Sequence, residues 1–177
     1  KYRISIIYRN QNMSINPLAK HFRQPTIQIT LPSNGQYWAA GSIDIPVTGE
    51  LPVYPLTTKD EIILKTPDSL LNGSSVVDVI QSCCPSIKNA WDMPSVDVDA
   101  ILIAIRIASY GHELEVGATC PECKETNDYV IDLRGSLDRI QTPDYKTPIV
   151  YEELRIKLKP QPYFSINKVN MLRFEEQ

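Results

Sequence analysis

Cys120 and Cys123 stand two residues apart in the stretch TCPECKETNDYVIDL, between two runs that alternate like strands. Thiols at this spacing in a turn converge on one point together with nearby backbone N–H groups, the arrangement of a zinc knuckle. One such pair is half of a tetrahedral site, and the chain holds four cysteines. The other two, Cys83 and Cys84, close an apolar helical run just before Pro85. Neighbouring positions on a helix diverge by about 100°, so both reach one metal only where the helix unwinds, which Pro85 permits. The expected ligands are therefore Cys83, Cys84, Cys120 and Cys123, or three of these with His112. Such a shell leaves no open position for water or substrate, so Zn²⁺ held this way is structural.

Other thiol chemistry fits less well. A redox CxxC normally opens a helix, whose N-terminus lowers the thiol pKa, whereas Cys123 is followed by Lys-Glu-Thr-Asn-Asp and a strand. A disulfide suits an exported chain, and the opening KYRISIIYRN has no apolar core or cleavage site of a secretion signal. Buried or free thiols remain the plain alternative to zinc. His21 sits in the basic run KHFR and His112 just after a helix-ending glycine, both read as surface or capping positions. The pairs Asp97 with Asp99 and Glu152 with Glu153 read as solvated surface. The sequence contains no GxSxG, P-loop, HExxH or GxGxxG pattern. Nothing here calls for an enzyme or for catalytic residues.

The elements that must position the cysteines are punctuated by 14 Pro against 7 Gly, so many turns are stiff. An antiparallel unit is expected from a strand over 26–31, a Pro-Ser-Asn-Gly turn, and runs over 36–39 and 42–45. The Pro-interrupted LPVYPL over 51–56 is an edge strand or linker. Thr58 and Glu61 have capping-box spacing, predicting a helix over 59–65, with one further turn over 68–72 after Pro67. Ser74 or Ser75 caps a helix that ends at Cys83 and Cys84. The longest helix, over 96–109 and closed by Gly111, is apolar nearly all round and is the expected buried centre. Its one interior charge, Arg106, needs Asp99, Glu113 or a partner subunit. Strands over 114–118 and 129–133 flank the Cys pair. A short helix over 136–140, a strand over 150–158 and a terminal helix follow.

The fold class is thus α+β: a small antiparallel β unit, a central helical segment with a buried helix, and a zinc-knuckle β hairpin. An N-terminal arm over 1–25, a core domain over 26–133 and a C-terminal strand and helix extension over 134–177 are expected. The chain opens with Lys, Met13 would make a natural start, and the last helix has no capping residue, so it is expected to continue. With 42% hydrophobic and 22% charged residues and a net charge of −3, the composition is globular rather than disordered. The longest apolar run, AILIAIRIA over 100–108, contains Arg106 and falls well short of the roughly 20 residues that span a bilayer. No membrane span is expected, and a reducing cytosol suits the thiols. No clustered Lys/Arg stripe of the kind that neutralises phosphates appears, so no nucleic acid is expected as a partner.

Four stretches carry a family resemblance: NPLAKHFRQP, LPVYPLTTKDEIILKTPDSLLNG, IQSCCPSIKNAWDMPSVDVDAILIAIRIASYG and CPECKETNDYVIDL. In order and spacing they resemble the baseplate hub subunit family of contractile-tailed phages of the T-even type, over residues 16–133. The resemblance implies a structural virion protein of the tail baseplate, assembled in the host cytoplasm without catalytic turnover. Its implied partners are other hub and tail proteins in a ring-like or hetero-oligomeric assembly. The family's cysteines match here as Cys83, Cys120 and Cys123, and the resemblance assigns no ligand role to Cys84. Tyr37, Trp38, Tyr54 and Trp91 are then read as docking aromatics, with core filling as the alternative. Two rivals are weighed against it. A zinc-ribbon adaptor for nucleic acid or polymerase predicts a basic face beside the Cys pair, where Lys124 is outnumbered by Glu122, Glu125 and Asp128. A CxxC thiol oxidoreductase predicts an activated Cys120 and a disulfide substrate.

Overall fold

The structure, a computed structural model, describes residues 5–6, 23–67, 72–141 and 144–176. A three-stranded antiparallel sheet runs in the order β1 (Ser5–Ile6), β2 (Ile27–Ile29), β3 (Leu51–Val53). β2 pairs Ile27 with Val53 and Ile29 with Leu51, so one face of the pleat gathers four buried aliphatic side chains. Pro52 sits on the outer strand, where its missing N–H interrupts no further pairing. The expected partners of β2 are different. Residues 32–37 turn, and Ile43 contributes only an isolated bridge to Ile87. The place of a third strand is filled by Ser5–Ile6, from the segment read as an arm.

Helix α1 (Thr58–Leu64) starts one residue earlier than its sequence signal. The capping box is Thr57 with Asp60, not Thr58 with Glu61. Arg23 decides the register, because its guanidinium lies 3.5 Å from Asp60 and holds that carboxylate at the helix start. The turn expected over 68–72 falls mostly outside the described residues. Helix α2 (Ser74–Cys83) leaves Gly73 at φ 76°, a left-handed position suited to glycine, and buries Ser75, Val77, Val79, Ile80 and Cys83. A 3-10 turn (Ala90–Asp92) leads into α3 (Ser95–Tyr110), which ends at Gly111 as expected. Ala100, Ala104 and Ala108 repeat every fourth residue along its buried face, letting neighbouring elements approach closely.

Among the described residues, Arg106 pairs with no carboxylate. It donates to the carbonyls of Gly111 and Glu113 and stacks 4.8 Å from the Tyr110 ring centre. β4 (Glu113–Thr119) and β5 (Thr126–Asp132) form a hairpin, followed by α4 (Leu133–Arg139), whose Leu133 and Leu137 pack into the core beside α3. The run read as one strand over 150–158 is a second hairpin, β6 (Ile149–Tyr151) with β7 (Leu154–Ile156), reversing at Glu152 with φ 53°. Helix α5 (Tyr163–Glu175) packs back through Tyr163, stacked 5.7 Å from Trp91, with Phe164 edge-on to the same indole at 6.0 Å. No helix of the described residues is long and apolar enough to cross a membrane.

Candidate functional site

The four cysteines form two separate pairs. Cys83 and Cys84 are completely buried in the core at the end of α2. Burial pushes the Cys83 thiol up; Arg23, whose Nη2 is 3.2 Å from its sulfur, opposes this, and the nearby Asp60 adds to it. Burial drives Cys84 well above the ordinary thiol range. A zinc ligand must be a thiolate, and burial disfavours that form at both positions.

Cys120 and Cys123 lie at the tip of the β4–β5 hairpin. The strands hold register from Glu113 opposite Asp132 to Thr119 opposite Thr126. Beyond Thr119 the loop folds back on itself: Cys120 N–H donates to the Glu125 carbonyl at 2.9 Å and Lys124 N–H to the Cys120 carbonyl at 3.0 Å. Lys124 takes the left-handed conformation that tightens the turn, at φ 62°. The backbone N–H groups of Cys123 and Glu122 point at the Cys120 sulfur, the Cys123 thiol reaches it as well, and together they hold the Cys120 pKa below the ordinary thiol value. The Cys pair thus lies at the tip of a β hairpin, between the two strands that the alternation predicts. Every residue of β5 and of the loop from Pro121 to Glu125 is exposed.

Among the described residues, no three His, Cys, Asp or Glu side chains are placed to share a metal. His112, at the base of the hairpin, lies 4.0 Å from Glu113 and belongs with neither Cys pair. His21 lies outside the described residues. Of the two pairs, the hairpin pair has the exposure and the N–H donors that suit a thiolate.

Asp97 corrects the reading of a solvated carboxylate. It is fully buried and accepts the Ser33 N–H at 2.8 Å, the Ser33 hydroxyl at 2.5 Å and the Trp38 indole N–H at 2.9 Å. Burial pushes its carboxyl above the ordinary value, with the three donors opposing. Trp38 and Trp91 are likewise partly buried against the core, leaving Tyr37 as the more exposed aromatic of the group read as docking residues. A cleft of about 300 Å³ between β2, β3 and the loop 34–50 has Glu50 as the one charged side chain in its lining.

Several exposed apolar side chains lie on the C-terminal elements. Val150, Tyr151 and Leu154 on the second hairpin and Leu172 and Phe174 on α5 are each more than half exposed. No sequence signal marked them, because alternation and helical spacing show that one face is apolar without showing whether the chain itself covers it.

Residues 24–175 match the family model described as T4 bacteriophage base plate protein. No curated protein and no solved structure matches the chain.

Proposed function

This chain belongs to the family of T4 bacteriophage base plate proteins, and from that membership we propose that it is a structural subunit of the baseplate hub. Its partners are other baseplate proteins of the virion tail. It is made in the host cytoplasm and works in tail assembly, in a ring-like or hetero-oligomeric arrangement, through surface contacts rather than turnover. The observation that supports this reading is the uncovered apolar side chains on two C-terminal elements, the terminal helix and the second hairpin. Val169 and Leu172 lie three residues apart on one face of α5, Phe174 follows, and the hairpin of β6 and β7 presents Val150, Tyr151 and Leu154. Leaving such side chains in water forgoes about 1.5–3 kcal/mol each relative to full burial. Contiguous apolar side chains left exposed on one face of an element mark surfaces that a partner covers.

Co-expression with the hub proteins of a T4-like phage tests the reading. The wild-type chain is expected to co-purify with a hub subunit in a stoichiometric complex. Leu172→Ser with Phe174→Ser is expected to lose the complex while keeping the melting temperature of the isolated chain. A complex formed equally well by the double variant would remove this surface from the account.

A further inference from the structure

We propose that Cys120 and Cys123 are half of a Zn²⁺ site that closes between two copies of this chain, each hairpin tip supplying two of the four sulfur ligands. Three observations carry this. First, the tip folds back on itself as a metal-binding turn must: Cys120 N–H donates to the Glu125 carbonyl at 2.9 Å, Lys124 N–H donates to the Cys120 carbonyl at 3.0 Å, and Lys124 takes φ 62°, so Cys120 and Cys123 flank one tight turn. Second, the described residues supply no third or fourth ligand. Cys83 and Cys84, the expected donors, are enclosed in the core. Third, the open half of the coordination sphere faces solvent, because Pro121, Glu122, Cys123, Lys124 and Glu125 are all exposed.

Zinc with thiolate ligands is tetrahedral and four-coordinate in structural sites. Two identical pairs related by a two-fold axis generate that tetrahedron, and an isologous contact of this kind closes on itself. A second tip offers the same pair of free thiols at an exposed turn, which completes the count of four. Charge makes the contact depend on metal. Each tip carries Glu122, Glu125 and Asp128 against Lys124, so two tips repel until a divalent cation lies between their sulfurs. The site is independent of the hub reading, since it is tested on the isolated chain.

The test is metal content and mass of the full chain, purified under reducing conditions and loaded with zinc, measured before and after a strong chelator. The expected result is about one zinc per two chains, a doubled mass by light scattering, and return to the single-chain mass on chelation. Cobalt(II) in place of zinc is expected to show the spectrum of a tetrahedral tetrathiolate. Cys123→Ser is expected to stay single and metal-free with an unchanged melting temperature, because this exposed tip packs against no core residue. Cys84→Ala is expected to keep metal and dimer. One zinc per chain at single-chain mass, no zinc in the reduced wild-type protein, or a dimer that persists in chelator would each overturn the proposal.

Discussion

Asp97 takes the Ser33 backbone N–H on one carboxylate oxygen at 2.8 Å and the Ser33 hydroxyl on the other at 2.5 Å. The second oxygen also takes the Trp38 indole N–H. This buried carboxylate fastens the turn after β2 to the first turn of the central helix. Asp97→Ala leaves three donors without it and is expected to lose about 3–5 kcal/mol of stability, at the level of a broken buried charged network. Denaturant unfolding at neutral pH measures it. A loss under about 1 kcal/mol, the range of a surface substitution, would show that the turn is held by other contacts.

The two buried aspartates respond to acid in opposite senses. Burial opposes ionisation of Asp60, but hydrogen bonds from Thr57 and Ser82 and the charge of Arg23 outweigh it and hold the group below its ordinary value of 3.8. Its contribution to stability is therefore present above that value and is lost as pH falls from 3.8 through the lower folded pKa. Asp97, raised in the fold, binds its proton more tightly than the unfolded chain does, so its contribution declines as pH rises from 3.8 through the raised pKa. Asp60→Asn is expected to flatten the acid limb of the stability profile and Asp97→Asn the limb above it. Urea midpoints taken across pH 2 to 7 for both variants check the signs.

Thiol reactivity separates the two cysteine pairs. With metal removed, the exposed Cys123 and the N–H-stabilised Cys120 are expected to react with a thiol reagent without unfolding. Cys83 and Cys84 are expected to react only at the rate of unfolding, being enclosed and protonated. Mass spectrometry of the labelled protein identifies the sites. Equal labelling of all four thiols in native protein would contradict the core placement.

Trp91 is the anchor of the terminal helix, stacked on Tyr163 and met edge-on by Phe164. Trp91→Ala is expected to cost about 2–4 kcal/mol, from lost area and two ring contacts. It is also expected to expose α5 to limited proteolysis while α3 stays protected. Unchanged cleavage of α5 would mean that the backbone bonds of Ser95 to Gln161 and Tyr163 to Met93, with the Asn167 amide donating to the Asn72 carbonyl, hold it without the indole.

The elements with strong local patterns were legible in the sequence: α3 from its apolar run closed by Gly111, and the Cys hairpin from alternation on both sides of a turn. What failed depended on distant partners. Thr58 and Glu61 have the right spacing for a capping box, yet Arg23 selects Thr57 and Asp60. Asp97 looks like its neighbour Asp99 until the turn bearing Ser33 and Trp38 folds over it. Glu152 reverses the second hairpin without the glycine or asparagine that usually announces such a turn. Apart from these, the grouping of Cys83 and Cys84 with the hairpin pair rests on counting thiols, and the count does not show that the core encloses the first two.

Assembly in infected cells tests the central claim most directly. With translation of this chain blocked during infection by its phage, sedimentation of tail parts is expected to show no complete baseplates while the other structural proteins accumulate. Supplying the wild-type chain is expected to restore them, and the Leu172→Ser, Phe174→Ser double variant to fail. Normal numbers of complete baseplates in the absence of the chain would contradict a structural role in the hub.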